Sequence, residues 1–110
     1  MLVLTKDNFE QEVLEAKGLV MVDFWMTTCR PCLAIMPEVE AFVERNEGKA
    51  KFCKIEVSEN KRVAVTQKIF TVPSIVFYKN GQQVFVFNGQ LIGELGMHGL
   101  QDKLDELAGA

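Results

Sequence analysis

The sequence predicts an α/β domain in which four helices flank a central mixed five-stranded sheet. Segments with the two-residue period of strands alternate along the chain with segments whose apolar residues recur every three or four positions, as in amphipathic helices. One strand segment, residues 19–25, is apolar on both faces, which is typical of a strand in the middle of a sheet. A late Asn-Gly pair between two apolar segments predicts a hairpin, and therefore an antiparallel pair. The predicted order is β-α-β-α-β-α-β-β-α.

Length and composition fit a single domain over residues 1–110. The chain is 48% hydrophobic, which is enough apolar material for one core. The formal net charge is −3 and the basic residues are scattered, so the sequence offers no surface for nucleic acid. The N-terminus lacks the regions of a secretory signal, and no apolar run approaches the roughly 18 residues that span a bilayer. We therefore expect a cytoplasmic protein with no membrane partner.

The first half of the chain is predicted to contain a strand, a helix, a strand and a helix, at about residues 3–4, 7–18, 19–25 and 30–47. Asp7 followed three residues later by Glu10 predicts a capped helix start, and Gly18 suits the left-handed end of that helix. Pro31 falls in the first turn of the second helix, where proline is tolerated. Pro37 lies inside the same helix, where it predicts a kink.

The second half is predicted to contain a strand, a short helix, two hairpin strands and a final helix, at about residues 50–57, 60–68, 74–78, 83–87 and 100–109. Asn60 is the expected N-cap of the short helix. The fourth strand cannot begin before Pro73, because proline donates no ladder hydrogen bond. Asn80 and Gly81 form the hairpin turn. The glycine-rich residues after Gly89 are expected to be irregular up to the final helix, which Gly109 is expected to cap.

Cys29 and Cys32 are separated by two residues at the junction between the strand at 19–25 and the helix that follows. Such a pair can be half of a metal site or can alternate between dithiol and disulfide. A four-ligand zinc site needs two further ligands, and only Cys53 and His98 remain as cysteine or histidine. Disulfide exchange is therefore favoured, with no metal and no cofactor. Cys53 lies in an apolar strand and is expected to be a core residue, and His98 an exposed one.

Asp23 interrupts the apolar strand at its centre. An ionised carboxylate buried there without a partner would destabilise the fold by several kcal/mol. Lys54 on a neighbouring strand is the expected charge partner. Two interpretations remain at this point: a buried ion pair with no catalytic part, or a proton acceptor whose pKa is raised by burial.

Several segments of the chain match one known family. They are Val22-Asp23-Phe24-Trp25, Cys29-x-Pro31-Cys32, Pro37, Lys54, Val72-Pro73-Ser74, Lys79-Asn80-Gly81 and Gly89. With these segments in this order, nearly the whole chain resembles the thioredoxin family. The resemblance implies the thioredoxin fold, with Cys29 exposed at a helix N-terminus and Pro73 in a cis peptide facing the cysteines. It also implies that the protein is an enzyme that exchanges disulfides.

The same resemblance implies roles for particular residues. Cys29 would attack a substrate disulfide, Cys32 would resolve the mixed disulfide, and Asp23 would accept a proton during resolution. The residues expected to tune the site are Arg30, Pro31, Lys54 and Trp25, and those expected to form the substrate groove are Thr28, Val72, Pro73 and Gly89. Simpler interpretations stay open: a trans turn proline, a core tryptophan and a turn glycine. The protein is expected to be a monomer. Its expected partners are disulfide-containing proteins and an electron donor similar to thioredoxin reductase.

Two residues depart from the family pattern. Thr28 stands where thioredoxins usually have tryptophan, and Arg30 where they usually have glycine. Arginine beside Cys29 should lower the thiol pKa and favour the dithiol, so we expect a less strongly reducing couple. A reductase of protein disulfides is the primary hypothesis. An oxidase or isomerase, and a non-enzymatic peptide-binding module, remain as alternatives.

Overall fold

The computed structural model describes residues 1–109, which are built around a five-stranded mixed sheet. The strands are β1 (Leu2–Leu4), β2 (Leu19–Trp25), β3 (Lys51–Glu56), β4 (Ser74–Lys79) and β5 (Gln82–Asn88). Their order in the sheet is β1-β3-β2-β4-β5. The pairs β1/β3 and β2/β3 are parallel, and β2/β4 and β4/β5 are antiparallel. The predicted mixed sheet is confirmed, with β2 at its centre.

The helices connect these strands in the predicted order. They are a π-helical turn (Glu10–Leu14), α1 (Arg30–Arg45), α2 (Lys61–Thr66) and α3 (Gly89–Gly109), with a short 3₁₀ turn at Val57–Glu59. Two buried apolar clusters cover the two faces of the sheet. Along β2, Val22 and Phe24 belong to one cluster and Met21 to the other, because successive side chains of a strand point to opposite faces. The second cluster contains Val39 and Phe42 of α1.

The first helix is much shorter than the sequence predicts. The expected capping by Asp7 is wrong, since the π-helical turn begins at Glu10 without a side-chain cap. The chain instead turns earlier, where the Thr5 N–H donates to the Asn8 side chain at 2.7 Å. The Glu15 N–H then closes the single wide turn by donating to the Glu10 carbonyl at 2.9 Å.

Asn60 precedes α2 as predicted, but the proposed side-chain cap is wrong. Its side-chain oxygen accepts the Lys6 N–H at 2.8 Å, and its side-chain nitrogen donates to the Glu56 carbonyl at 2.8 Å. The side chain therefore joins the segments that follow β1 and β3. The helix ends at Thr66, two residues before Lys68 enters the left-handed region with φ 61°.

The segment after Gly89 is helical, so the predicted irregular region is wrong. The Asn88 side chain accepts the Leu91 N–H at 2.8 Å and so satisfies a free donor at the start of α3. Gly96 has φ 64° and ψ −167° and divides α3 into two helical parts. The helix continues through Gly109, which therefore does not act as the predicted cap.

The predicted hairpin turn is confirmed at Asn80 and Gly81. Their φ values of 51° and 82° are both positive, as a two-residue turn of this kind requires. Asn80 also exchanges two hydrogen bonds with Gly18. Gly81 packs so closely on the π-helical turn that a Cβ there would overlap the backbone oxygen of Leu14.

Candidate active site

Cys29 and Cys32 lie at the N-terminus of α1, where the central strand gives way to a helix. Cys29 is the N-cap residue, and the Cys32 N–H donates to its Sγ at 3.2 Å. The two cysteines form a disulfide with Cα atoms 5.3 Å apart. Cys29 is half-buried, whereas only 1% of Cys32 is exposed. The pair can therefore alternate between disulfide and dithiol, and Cys29 is the more accessible of the two residues.

Arg30 and Pro31 occupy the first turn of α1, and both are exposed. Pro31 does not interrupt the helix, because the first-turn N–H groups have no intrahelical acceptor. Arg30 brings a positive charge next to the N-cap cysteine in sequence. The free N–H groups at a helix N-terminus and a nearby cation both favour an anionic sulfur over a neutral thiol.

Asp23 is buried at the centre of β2, with 1% of its surface exposed. Within the described residues, neither of its carboxyl oxygens has a hydrogen-bond partner. Burial raises the pKa of Asp23 to about 7, against a smaller lowering by the charge of Lys54. At neutral pH this carboxyl group can therefore either hold or release a proton.

Lys54 lies directly opposite Asp23 in the parallel pair of β2 and β3. Its Nζ also lies 5.7 Å from the centre of the Trp25 ring. By strand alternation these three side chains share the face of the sheet that carries Met21 and is covered by α1. The sheet thus brings together Asp23, Trp25 and Lys54 on the side of the helix that carries the cysteines.

A groove of about 390 Å³ lies between α1, the start of α3 and the segment before β4. Its lining consists of Pro31, Ala34, Ile35, Val72, Pro73, Gly89, Ile92 and Gly93. The Val72-Pro73 peptide is cis. A Cβ on Gly89 would make an ordinary van der Waals contact with the Pro73 ring at 3.5 Å, so Gly89 lies directly beside the proline.

Four of the predicted site residues therefore meet at this groove, namely Pro31, Val72, Pro73 and Gly89. The lining does not include Thr28, which is exposed, or Trp25, which is half-buried. Sequence reasoning missed Ala34, Ile35, Ile92 and Gly93. The first two follow Pro31 at helical spacing, which could have indicated them. The last two were not recognised because the segment after Gly89 was not predicted to be helical.

The remaining cysteine is buried, whereas the histidine is exposed. Cys53 is unpaired and fully buried in an apolar cluster, and burial raises its pKa to about 11 against a smaller lowering by Lys51. His98 is exposed on α3. Within residues 1–109, no three potential metal ligands form a cluster. A larger concavity of about 700 Å³ lies between the π-helical turn and α2, and its lining includes none of the predicted site residues.

Comparison with known proteins identifies the family. The profile of the thioredoxin family matches residues 1–104. The chain belongs to the thioredoxin family. It is 47% identical over 81 residues to a thioredoxin from Peptoclostridium acidaminophilum, a match that covers 74% of each chain. It is 34% identical over 105 residues to a thioredoxin from Chlorobaculum thiosulfatiphilum, covering 96% of this chain and 94% of that one.

The fold predicted from the family resemblance is confirmed by a solved structure. The thioredoxin of Fasciola hepatica superimposes with a TM-score of 0.82 at 30% identity, covering 97% of this chain and 99% of that one. Family membership together with the Cys29–Cys32 pair makes this chain a thiol-disulfide oxidoreductase. For a thioredoxin this implies disulfide-containing substrates and a reductase as a partner. Of the helices described, none is both long and apolar enough to cross a membrane.

Proposed function

We propose that this thioredoxin-family enzyme reduces protein disulfides, with Cys29 as the attacking cysteine and Cys32 as the resolving one. The difference in burial between the two cysteines carries this assignment, because an incoming disulfide can approach the half-buried Cys29 but not Cys32, which is 1% exposed. The Cys32 N–H at 3.2 Å from the Cys29 Sγ supports it further, since a donor at that position stabilises a thiolate.

The two steps conserve atoms and electrons. The Cys29 thiolate attacks one sulfur of the substrate disulfide, forms a mixed disulfide and releases the other substrate sulfur as a thiolate. The Cys32 thiolate then attacks the Cys29 sulfur, which forms the Cys29–Cys32 disulfide and releases the second substrate thiolate. Two electrons pass to the substrate, and the released thiolates take up protons from solvent.

Asp23 is proposed to accept the proton of Cys32 before the resolving step, through a bridging water. A buried thiol is a poor nucleophile until it loses its proton. A carboxyl group with a pKa of about 7 is suited to take that proton near neutral pH. Lys54, which lies opposite Asp23, favours the ionised form of the carboxyl group and so tunes this role.

The groove beside the cysteines is proposed to hold the substrate chain. The floor and wall of the groove would be formed by Val72, Pro73 and Gly89. The Val72 backbone would pair with the substrate chain, which would bind as an added strand. Pro31 forms part of the same surface, and the exposed Thr28 would lie at its rim. Trp25 would pack behind the cysteines with Lys54 near its ring.

Residues 1–110 would act as a single-domain monomer in the cytoplasm, with an electron donor of the thioredoxin reductase class. One unpaired buried cysteine and one active-site pair suit a reducing compartment, where structural disulfides are rare.

One observation favours a less reducing role, such as an oxidase or isomerase. Arg30 at the start of α1 stabilises a Cys29 thiolate and hence the dithiol form. The Arg30→Gly variant should have a more negative reduction potential than the wild type. An equal or less negative potential would remove the basis for this second candidate.

A redox titration combined with trapping tests the main proposal. Cys32→Ser should accumulate mixed disulfides at Cys29, because resolution is blocked, whereas Cys29→Ser should accumulate none. In a reductase, the reduced wild type should transfer electrons to protein disulfides such as those of insulin. A potential at which the dithiol cannot reduce them, or trapping at Cys32 in the Cys29→Ser variant, would contradict the proposal.

A further inference from the structure

Glu56 is the last residue of β3 and lies opposite Trp25, the last residue of β2. The chain leaves β2 at Trp25 and reaches Cys29 through a tight turn, which the Cys29 N–H closes by donating to the Met26 carbonyl at 3.0 Å. Glu56 therefore ends its strand beside the turn that delivers Cys29 to the helix. Neither the family motifs nor the spacing of residues in the sequence indicates a role for Glu56.

The Glu56 carboxylate holds this turn directly. Its Oε2 accepts the Thr27 N–H at 3.0 Å and the Thr27 hydroxyl at 3.1 Å. Thr27 is an inner residue of the turn, two positions before Cys29. Two bonds to one carboxylate oxygen fix both the backbone and the side chain of Thr27, and bonds to a charged acceptor are stronger than bonds between neutral groups.

The carboxylate is itself held from the other side. The Ser58 hydroxyl lies 2.6 and 2.8 Å from its two oxygens, and the Glu59 N–H donates to Oε1 at 3.3 Å. Burial alone would raise the pKa of Glu56, but the bonds from Ser58, Thr27 and Glu59 outweigh it and lower the pKa to about 2. The group thus stays ionised at any pH at which thiols exchange with disulfides.

We propose that Glu56 is a positioning residue for disulfide exchange, which acts by fixing the Thr27 turn and through it the sulfur of Cys29. This inference rests on the proposed role of Cys29 as the attacking cysteine. The thiolate must lie in line with the substrate disulfide and within reach of the Cys32 N–H. A turn released from Glu56 would spend part of its time with Cys29 displaced, which slows attack without changing the thiol itself.

The test is the pH dependence of the rate at which the reduced protein attacks a small aromatic disulfide. Above the thiol pKa this rate reaches a plateau that reports positioning, whereas the inflection reports the pKa. Glu56→Ala should lower the plateau roughly 10-fold, within the range that small misplacements of reacting groups produce. Thr27→Val should lower it by a smaller factor, and Thr27→Ser, which keeps the hydroxyl, should restore the wild-type plateau.

Glu59→Gln is the matched control, because it removes an exposed carboxylate three residues away and leaves the backbone bond to Glu56 in place. It should leave the plateau unchanged. If Glu56→Ala does not fold, the plateau rates of Thr27→Val and Thr27→Ser test the inference by themselves. Wild-type plateaus in Glu56→Ala and Thr27→Val, or an equal loss in Glu59→Gln, would overturn the inference. Failure of the proposed function would give a different result, because the Cys29→Ser variant would then still react with the aromatic disulfide.

Discussion

The ionisation of Asp23 should make the oxidised protein less stable as the pH rises, and Asp23→Asn should remove this effect. The pKa of the Asp23 carboxyl group is about 7 in the folded protein, against 3.8 for an unperturbed aspartate. Between these values the folded protein keeps a proton that the unfolded chain has released. The unfolded state therefore binds fewer protons, and the free energy of unfolding falls as the pH increases from about 4 to about 7.

The size of the effect follows from the difference between the two pKa values. Each unit corresponds to about 1.4 kcal/mol, so a difference of about three units gives about 4 kcal/mol. This is a large fraction of the stability of a typical small domain, which is roughly 5–15 kcal/mol. Asparagine carries no charge at any pH, so Asp23→Asn should gain this amount relative to the wild type between pH 4 and pH 8.5.

Guanidinium denaturation of the oxidised wild type and variant across this pH range measures the difference. Subtracting the two curves cancels the other titrating groups, which both proteins share. Asp102→Asn, at an exposed position on α3, is the control and should track the wild type. If the difference between Asp23→Asn and the wild type stays constant from pH 4 to pH 8.5, the buried carboxyl group does not titrate as argued.

Three further predictions test other parts of the structure. Lys54→Met should raise the pKa of Asp23 further, because it removes the cation that lowers it, so the fall in stability should still begin near pH 4 but extend to a higher pH than in the wild type. Gly81→Ala should lower the free energy of unfolding by more than Gly48→Ala in chemical denaturation. Both glycines have a positive φ, which destabilises alanine by about 1 kcal/mol at either position. Of the two, only Gly81 has other atoms within reach of an added Cβ. In the reduced native protein, iodoacetamide should label Cys29 alone by mass spectrometry, because Cys32 and Cys53 are buried and should be labelled only after unfolding.

Each of these predictions has a result that counts against it. If the fall in stability of Lys54→Met ended at the same pH as in the wild type, the charge of the lysine would not reach Asp23. Equal losses in the two alanine variants would show that the hairpin can move away from the π-helical turn. A label on Cys53 in the native reduced protein would mean that this cysteine is not sealed in the core.

The sequence predicted those features that depend on a residue's own backbone or on periodicity over a few neighbours. Asn80 and Gly81 readily adopt positive φ, so the hairpin followed from two residues. The β2 strand followed from its apolar residues on both faces, and the redox pair from two cysteines at a strand-to-helix junction. Prediction failed where a short polar side chain could bond to several partners, as at Asn60, which bonds to Lys6 and Glu56 instead of capping the helix.

Tertiary structure decided the surroundings of the cysteines. The register of β2 on β3 sets Lys54 opposite Asp23 and Glu56 opposite Trp25, and a shift of one residue would have turned these side chains to the other face. Burial, which no local pattern measures, raises the pKa of Asp23. The bonds from Glu56 to Thr27 join residues 29 positions apart. The sequence by itself therefore determined the chemistry of the Cys29–Cys32 pair, and packing between distant segments decided which charged groups surround it.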